Sequence, residues 1–439
     1  MNDDRSDRRD FLKKSAALAA GTALATLDAE SIGASELWAR PGTAPRPGAR
    51  TSAEPVRIGI IGTGGMGTEH LRAFQRLNSA GRTDVQIVAL CDVCRPRLEA
   101  AGHALREAGA RYDFRYFTDY RELLRDASIQ GVLIAAPEHW HAAMATLAIR
   151  AGRDVYIEKP MTLRHEDALR LRDVVAAHPE RIVVVGTQYV TYPSYADAKR
   201  LIAEGKIGKP VFSQTSYCRN SKDGEWLYYE IDPQWQPGVN LDWNAWTGPL
   251  GRQPWSPEVY ARWRRFRKYS TGIIGDLLVH RITPLMMALD VGWPIRIVAS
   301  GGHYVDKAME NHDQVNINIE FENEHTMIVA GSTANEVGLE TMIRGHRANL
   351  YLGDRRLTLR PERIYAEEVE EQTFEGEDLG DPQDLLRVRW IDAIRTRGPS
   401  PSPVDLGAQV MVVVDLASRS MWDGHAYAFD PRRLKARRI

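Results

Sequence analysis

The pattern of apolar and polar positions divides the chain into distinct regions. From residue 55 to about residue 185, short apolar runs alternate with helix-like segments. Such alternation is typical of parallel strands with helical crossovers, and near-continuous apolar runs indicate strands that are buried on both faces. We therefore predict an N-terminal Rossmann domain, a doubly wound parallel sheet, with strands at Val56–Ile61, Val85–Cys91, 131–136, Asp154–Ile157 and 182–186.

The pattern changes after about residue 190. A predicted helix at 194–204 and strand at 211–217 precede a long aromatic-rich stretch, 220–267. Every second residue from Val315 to Phe321 is then apolar, with polar residues between. One apolar and one polar face are typical of an open antiparallel sheet. We predict a C-terminal α+β domain with an open, mostly antiparallel sheet and closing helices at 383–397 and 404–421.

The N-terminal segment resembles a targeting signal. Arg8 and Arg9 precede Phe11-Leu12 and a short Ala-rich apolar run. This arrangement is typical of a twin-arginine export signal, although an amphipathic or disordered arm is the alternative. The apolar run is shorter than the roughly 20 residues that span a bilayer, so we expect no stable membrane insertion. We expect a periplasmic or otherwise exported protein.

The predicted organisation follows from these regions. We expect a signal peptide at 1–34, a linker at 35–54, an N-terminal domain at 55–188, a C-terminal domain at 189–425, and a solvated, frayed basic tail at 426–439. The twin-arginine route carries folded proteins, so it suits enzymes that load a cofactor before export. Such an enzyme would have no obvious pool of fresh cofactor and would retain and regenerate the one it carries.

Composition narrows the classes of partner. The chain has 439 residues and nearly balanced charge, with 57 Lys and Arg against 58 Asp and Glu. This balance does not favour a nucleic-acid or acidic-membrane partner. Three cysteines do not make a disulfide framework. Cys91 and Cys94 form a C-x-x-C pair, for which a redox or metal role is the alternative, but no further zinc ligands stand at suitable spacing. We predict no metal site.

A glycine-rich turn carries the strongest chemical signal. It lies between the first predicted strand and a helix-like segment and reads Gly62-Thr63-Gly64-Gly65-Met66-Gly67. In dinucleotide-binding proteins such a turn lets the backbone approach a pyrophosphate, which binds at the helix N-terminus. Asp92 ends the second strand, where an acidic residue holds the ribose hydroxyls of NAD. The alternative is a glycine turn in an unrelated α/β protein.

Two groups of residues suit acid–base chemistry. Lys159 follows the strand Asp154–Ile157, and ligands of open α/β sheets bind at the carboxyl ends of strands. A lysine there can hold a substrate hydroxyl, and a surface lysine is the alternative. Asp276 and His280 are four residues apart on one face of a predicted helix. A histidine beside a carboxylate suits proton removal from an alcohol; the alternative is a capping aspartate and a core histidine.

Two further segments lie near the predicted site. Pro137 and His141 follow the strand at 131–136, where a cofactor-positioning role competes with a simple helix start. The stretch from Trp226 to Phe266 is rich in tryptophan and tyrosine. Flat aromatic faces pack against the C–H faces of sugars and also fix long loops in place. We expect most of these aromatic residues to be structural and one or two to contact substrate.

These pieces, in this order, resemble the Gfo/Idh/MocA oxidoreductase family across about residues 55 to 425. The motifs that carry the resemblance are the glycine-rich turn, Asp92, Pro137-x-x-x-His141, Glu158-Lys159-Pro160, Gly186-Thr187-Gln188 and Asp276-x-x-x-His280. The chain departs from the family at Ser270-Thr271-Gly272, where members often have three glycines, and at Leu278 and Val279. The substrate pocket near His280 is therefore expected to be shaped differently.

The resemblance implies that 55–188 is an NAD-binding domain and 189–425 a substrate and oligomerisation domain. It also implies NAD or NADP, a sugar or polyol substrate, and a sheet that often mediates dimers or tetramers. It implies a catalytic or substrate-orienting role for Lys159, acid–base roles for Asp276 and His280, and cofactor-binding roles for the glycine-rich turn, Asp92, Pro137, His141, Glu158, Lys159 and Gln188. Because the Asp92 carboxylate would repel a 2′-phosphate, NAD is favoured over NADP.

The sequence thus predicts hydride transfer from a sugar, polyol or glycoside to a nicotinamide. One alternative is a redox-assisted glycosidase or lyase with tightly bound, recycled NAD. Another is a non-catalytic sugar- or nucleotide-binding protein on the same scaffold, which the intact set of Lys159, Asp276 and His280 argues against.

Overall fold

The computed structural model describes residues 54–439. The predicted signal peptide, and the linker except Glu54, lie outside the described residues. No helix within 54–439 combines the length and apolar character needed to cross a bilayer.

The N-terminal half folds around a parallel sheet with the strand order β3-β2-β1-β4-β5-β6. Its strands are β1 Val56–Ile61, β2 Val85–Cys91, β3 Arg115–Phe117, β4 Gly131–Ile134, β5 Asp154–Ile157 and β6 Val183–Val185. Its helices are α1 Gly65–Ser79, α2 Arg95–Glu107, α3 Tyr120–Arg125, α4 Glu138–Arg150 and α5 His165–Ala176. The order reverses between β1 and β4, the point at which such sheets bind dinucleotides.

The predicted apolar runs form the central strands of this sheet. Strands β1, β2, β4 and β5 are almost entirely buried, which explains their continuous apolar sequence. The sequence prediction missed β3, a short edge strand whose residues are largely exposed. An exposed three-residue strand has no apolar run that could reveal it.

The C-terminal half contains a mixed sheet of 10 strands with the order β14-β13-β12-β11-β7-β10-β9-β8-β15-β16. Only β7 and β10 pair in parallel among its described strand pairs. The strands are β7 Pro210–Cys218, β8 Pro294–Gly302, β9 Gln314–Phe321, β10 Thr326–Ser332, β11 Met342–Gly345, β12 Ala348–Leu352, β13 Arg356–Pro361, β14 Gln372–Glu375, β15 Tyr427–Asp430 and β16 Lys435–Arg438.

Helices cover one face of this sheet and join it to the first domain. They are α6 Pro193–Ala203, α7 Trp243–Thr247, α8 Pro257–Arg262, α9 Val279–Leu289, α10 Pro382–Thr396 and α11 Val404–Asp423. A π-helical turn, Ile274–Leu278, leads directly into α9. Although α10 lies late in the chain, Leu386, Trp390 and Ile391 pack into the same core as β1 and β2 of the parallel sheet.

The basic C-terminus corrects the prediction of a frayed tail. Strands β15 and β16 form an antiparallel hairpin, and β15 pairs with β8 at the edge of the large sheet. Phe429 is buried and stacks on Trp293 with ring centroids 5.5 Å apart. The basic side chains of β16 are mostly exposed, so the charge pattern indicated solvation but concealed the strand.

Candidate active site

The glycine-rich turn, residues 62–67, leaves no room for side chains at two of its positions. Gly62 has a φ of +89°, and a Cβ there would lie 2.6 Å from the Ala136 nitrogen. A Cβ on Gly67 would lie 1.9 Å from the Gly62 carbonyl oxygen. At Gly65 a Cβ would meet nothing within 4 Å, and no side chain caps the N-terminus of α1. The first-turn N–H groups of α1 therefore form a cradle that fits a pyrophosphate.

The predicted ribose-binding aspartate is bonded to this turn. The N–H and hydroxyl of Thr63 donate to one carboxylate oxygen of Asp92 at 2.8 and 3.2 Å, and the Cys94 N–H donates to the other at 2.9 Å. The oxygen that accepts from Cys94 has a second lone pair, so Asp92 retains capacity to accept from a ribose hydroxyl. Gly64 is the N-cap of α1, and Met66 lies in its first turn.

Pro137 and His141 lie where β4 leads into α4. Pro137 is the N-cap of α4. The buried His141 ring places Nδ1 2.8 Å from the Pro160 carbonyl oxygen and Nε2 2.7 Å from the Ala136 carbonyl oxygen. Burial lowers the pKa of His141, so a neutral ring donates to one of these carbonyls at a time. His141 thus links the end of β4 to the segment that carries Lys159.

Glu138 is a buried carboxyl group that sequence reasoning did not single out. It accepts from the Ser270 hydroxyl at 2.6 Å and from the Thr271 N–H at 3.3 Å. Burial raises its pKa to about 7, although the bond from Ser270 acts in the opposite direction. The contact involves the Ser-Thr-Gly segment at which the chain departs from the family motif. The serine hydroxyl that glycine would lack is therefore used to bind Glu138.

Lys159, Asp276 and Arg264 form the charged centre of the site. The Lys159 ammonium donates to the Asp276 carboxylate at 2.9 Å and to its carbonyl oxygen at 2.8 Å. Arg264 Nε donates to the same carboxylate oxygen at 2.8 Å. Burial would raise the pKa of Asp276, but the charges of Lys159 and Arg264 outweigh it and hold the pKa far below its usual range. Asp276 is therefore a permanent anion at working pH.

His280 lies beside this centre with an unused ring nitrogen. Its Nδ1 is buried without a hydrogen-bond partner. Burial, followed by the charge of Lys159, lowers the pKa of His280 to about 3, so the ring is neutral. Within residues 54–439, the hydrogen bonds of Asp276 go to Lys159 and Arg264 and not to His280. Asp276 thus acts on His280 through its charge, rather than through the direct orienting contact that the helical spacing suggested.

Two tyrosines stand beside the histidine. The ring of Tyr189 lies 5.4 Å from that of His280, and the ring of Tyr217 lies 6.2 Å away. Gln188 begins the turn that carries Tyr189, and its side-chain oxygen is buried without a partner. A free buried acceptor beside an aromatic wall can bind a hydroxyl or amide N–H of a ligand.

Glu158 faces away from Lys159 into the first domain. Its carboxylate lies 2.7 Å from His70 Nε2 and accepts from the Lys159 N–H at 3.1 Å. Burial would raise its pKa, but the hydrogen bond from His70 and the charge of Lys159 lower it to about 2. Sequence reasoning missed His70, although its position three residues after Gly67 on α1 was visible. It also missed Arg264, which no spacing rule could connect to Asp276.

The aromatic segment of residues 226–266, called here the tryptophan-rich segment, crosses the carboxyl edge of the parallel sheet. Its Asp242 N–H donates to the Val93 carbonyl at 3.0 Å, and its Asn240 carbonyl accepts from Arg95 at 2.8 Å. Farther along, the Trp246 carbonyl accepts from the Trp140 indole at 2.8 Å. The segment therefore contacts both the loop after β2, which bears Asp92, and the start of α4.

Most of the tryptophans in this segment pack against one another, as the sequence suggested. Trp243 stacks on Trp246 with centroids 4.7 Å apart, and Trp235 and Trp255 meet Tyr260 edge-on or tilted at 4.8 and 5.8 Å. Cys94 is buried in this cluster, and burial raises the thiol pKa of both Cys91 and Cys94. A raised pKa disfavours the thiolate that redox or zinc chemistry requires.

Comparison with models of protein families identifies the family of the chain. Residues 56–187 match the NAD-binding Rossmann-fold domain of an oxidoreductase family, and residues 246–429 match its C-terminal alpha/beta domain. The chain belongs to the Gfo/Idh/MocA oxidoreductase family. The two matches cover the glycine-rich turn, Lys159, Asp276 and His280, so the described site is built from both family domains.

Relatives of known activity match part of the chain. Inositol 2-dehydrogenase 1 of Saccharopolyspora erythraea is 36% identical over 156 residues, which are 36% of this chain and 44% of that protein. Inositol 2-dehydrogenase of Burkholderia multivorans is 31% identical over 172 residues, 39% of this chain and 48% of that protein. The matches thus span less than half the length of these relatives.

Solved structures share the fold of this Gfo/Idh/MocA protein. Levoglucosan dehydrogenase in complex with NADH and levoglucosan superposes with a TM-score of 0.63 at 20% identity, covering 88% of this chain and 100% of that one. An oxidoreductase from Thermotoga maritima gives a TM-score of 0.63 at 18% identity, covering 84% and 97%. At these identities the likeness establishes the fold alone.

Proposed function

We propose that this Gfo/Idh/MocA protein is an NAD-dependent oxidoreductase that oxidises a hydroxyl-bearing carbon of a sugar or polyol. The observation that carries the proposal is the buried contact of Lys159 with Asp276 beside a neutral His280, at the carboxyl edge of a dinucleotide-binding sheet. The inositol and levoglucosan dehydrogenases among its relatives and structural neighbours support a sugar or polyol substrate. NAD is favoured over NADP because of the Asp92 carboxylate.

A bound nicotinamide supplies the hydride acceptor. Lys159 binds the oxygen of the reacting hydroxyl, and its positive charge stabilises the oxyanion that forms as the proton leaves. His280 accepts that proton, since its ring is neutral at working pH. Asp276 holds Lys159 in place and stabilises the imidazolium that results. Tyr189 and Tyr217 flank His280, with ring centroids 5.4 and 6.2 Å from its own.

The first prediction concerns these roles. Lys159→Ala and His280→Ala should each lower kcat by about 10²- to 10⁴-fold, because the first removes the charge that stabilises the oxyanion and the second removes the proton acceptor. NAD should still bind, since the cradle at the N-terminus of α1 is untouched. Steady-state kinetics with inositol and levoglucosan, and calorimetric NAD titration, measure both effects. Lys199→Ala, on the exposed face of α6, is the control; wild-type rates in both site variants would refute the assignment.

A second candidate is a redox-neutral glycosidase or lyase, in which transient oxidation acidifies a neighbouring C–H and hydride is later returned. The tryptophan-rich segment favours it, because that segment lies across the cofactor side of the sheet and contacts the loop that bears Asp92. A covered cofactor exchanges slowly and suits an internal cycle. Release of an aglycone from a glycoside without accumulation of NADH would distinguish this activity from net oxidation.

We also propose export by the twin-arginine route and assembly into a homo-oligomer. The paired Arg8 and Arg9 before an apolar run support export. The long open sheet, with helices on one face, supports self-association through the other face. Cell fractionation of the tagged full-length chain, with an Arg8→Lys, Arg9→Lys variant as control, tests the first, and light scattering on the purified protein tests the second.

A further inference from the structure

A buried arginine of the late helix α10 reaches the cofactor side of the first domain. Arg387 is 1% exposed, and its Nε donates to Nδ1 of His70 at 2.9 Å. Its guanidinium also donates to Asp384, one turn earlier on α10. Asp384 in turn accepts from Arg76 of α1 at 3.0 Å. Arg387 is thus fixed at both ends by buried or half-buried partners, although more than 300 residues separate it from His70.

The contact with Arg387 determines the tautomer of His70. Arginine is always charged and can only donate, so Nδ1 of His70 must be the acceptor. The single ring proton then lies on Nε2, which donates to the Glu158 carboxylate at 2.7 Å. Burial, followed by the charge of Arg387, lowers the pKa of His70, which agrees with a neutral ring. In this hydrogen bond the neutral ring of His70 therefore donates to the anionic carboxylate of Glu158.

Glu158 passes this constraint to the lysine. One of its oxygens accepts from His70, and the other accepts from the Lys159 N–H at 3.1 Å. The ring of Tyr156 packs edge-on against the ring of His70, with centroids 5.3 Å apart. These contacts, called here the relay, run without a break from Asp384 through Arg387, His70 and Glu158 to the main chain of Lys159.

We propose that Arg387 and His70 are positioning residues, which hold Glu158 in place as an anion and so fix the main chain from which Lys159 reaches the substrate. The proposal rests on the proposed oxidoreductase function. It adds that the last part of the chain, through α10, completes a catalytic site whose lysine belongs to the first domain.

Substitutions at His70 separate this role from simple packing. His70→Gln keeps a neutral acceptor and donor, whereas His70→Phe keeps a ring but removes both hydrogen bonds. We expect His70→Phe to lower kcat by about tenfold to a hundredfold through misplacement of Lys159, and His70→Gln to restore most of the loss. Circular dichroism and calorimetric NAD titration establish that each variant is folded and binds cofactor. Equal impairment of both folded variants would overturn the proposal.

The pH profile gives a readout that packing alone would not change. In the wild type, the titratable groups near Glu158 are His70, Lys159, His280, His141 and Tyr156, and the hydrogen bond from His70 and the charge of Lys159 keep it ionised. Without the bond from His70, burial dominates and raises the pKa of Glu158. The kcat of His70→Phe should then fall on the acid side, where the wild type shows no dependence on Glu158. A profile parallel to that of the wild type would contradict the proposal.

Arg387 provides the second test, with a matched control on the same helix. Arg387→Met should reproduce the loss of kcat, because His70 loses the donor that fixes its ring, and combining it with His70→Phe should add little, because both interrupt one chain of contacts. Arg395→Met, which removes a half-exposed arginine of α10, should leave kcat unchanged. Full additivity of the two site variants would show that they act separately and overturn the relay.

A measurement without turnover keeps the proposal distinct from the proposed function. The carboxyl band of Glu158 can be assigned by infrared difference spectroscopy against Glu158→Gln. We expect no protonated band near neutral pH in the wild type and its appearance in mildly acidic buffer in His70→Phe. If the wild type fails to oxidise any sugar but these bands behave as expected, the proposed function fails and the relay stands. Identical bands in wild type and variant would overturn the relay whatever the activity.

Discussion

At the scale of single residues, the sequence indicated which side chains carry the chemistry, but not which residues they contact. Lys159, Asp276 and His280 stood out because strand ends and helical spacing mark such positions. The residues that support them did not stand out. Arg264 lies in an irregular aromatic stretch, and Arg387, which reaches Lys159 only through His70 and Glu158, lies in a closing helix. Only the folded chain brings them together, because side-chain contacts between distant segments leave no period or spacing in a sequence.

Glu138 gives a prediction at this scale. Its pKa is about 7 in the folded protein because of burial, against about 4.5 when unfolded. Its contribution to stability is therefore fully present below about pH 4.5 and is lost as the pH rises through 7. Glu138→Gln, which stays neutral, should make the free energy of unfolding less dependent on pH across this range, by on the order of 1–3 kcal/mol.

Denaturant unfolding of wild type and Glu138→Gln at several pH values between 4 and 8 measures this difference. The exposed Glu99→Gln on α2 is the control, and it should leave the pH dependence unchanged. If the free energy of unfolding of Glu138→Gln depended on pH as steeply as that of the wild type, Glu138 would ionise normally in the folded protein.

At the scale of elements, the long helix α11 is joined to the start of α5 by a buried carboxylate. Asp415 accepts from the His165 N–H at 3.0 Å and from its Nδ1 at 2.6 Å, and Arg164 and Arg419 also donate to it. Burial would raise the pKa of Asp415, but these partners lower it to about 2. The arginines balance the carboxylate charge, so this cluster needs no cation.

Breaking this link should destabilise the protein. Asp415→Asn should lower the free energy of unfolding by about 3 kcal/mol near neutral pH, because the buried carboxylate no longer balances the partly buried Arg164 and Arg419. The depressed pKa also means that stability present above about pH 4 is lost as the pH falls toward 2, and this loss should be smaller in the variant. Asp405→Asn, which removes an exposed partner of Arg172, should cost at most about 1 kcal/mol. Equal effects of both substitutions would contradict this account.

Element prediction succeeded where burial imposed a pattern. The buried strands β1, β2 and β5 were predicted with the bounds they have in the structure, and alternation revealed β9. The exposed strands β3 and β16 were missed or assigned to a frayed tail, because neither needs an apolar face. The packing of α10 on the parallel sheet was also beyond the sequence, since an apolar helix face does not specify which sheet it covers.

At the scale of the whole molecule, the two family domains enclose one site. The second domain contributes Asp276, His280 and the tryptophan-rich segment, and the first contributes the cofactor cradle and Lys159. Arg97 of α2 lies over the rings of Trp235 and Tyr260, 4.7 and 4.5 Å from their centroids. This stacking adds a contact between the segment and the start of α2, so we expect the segment to slow exchange of the cofactor.

Retention of the cofactor is therefore a prediction for the intact protein. Protein purified by extensive dialysis and then denatured should release NAD or NADH in near-stoichiometric amount, detected by mass spectrometry. Trp235→Ala together with Tyr260→Ala removes the stacking on Arg97 and should lose nucleotide faster. Absence of nucleotide in the wild type, with weak NAD binding on titration, would favour an ordinary dehydrogenase that exchanges its cofactor.

The measurement that tests the central claim most directly is transfer of deuterium from sugar to nicotinamide. Protein loaded with NAD is mixed with inositol or levoglucosan that carries deuterium on its hydroxyl-bearing carbons. The released nucleotide is then analysed by mass spectrometry. We predict deuterium in the reduced nucleotide for the wild type and almost none for Lys159→Ala. Unlabelled nucleotide from wild-type protein that binds these sugars would contradict hydride transfer at this site.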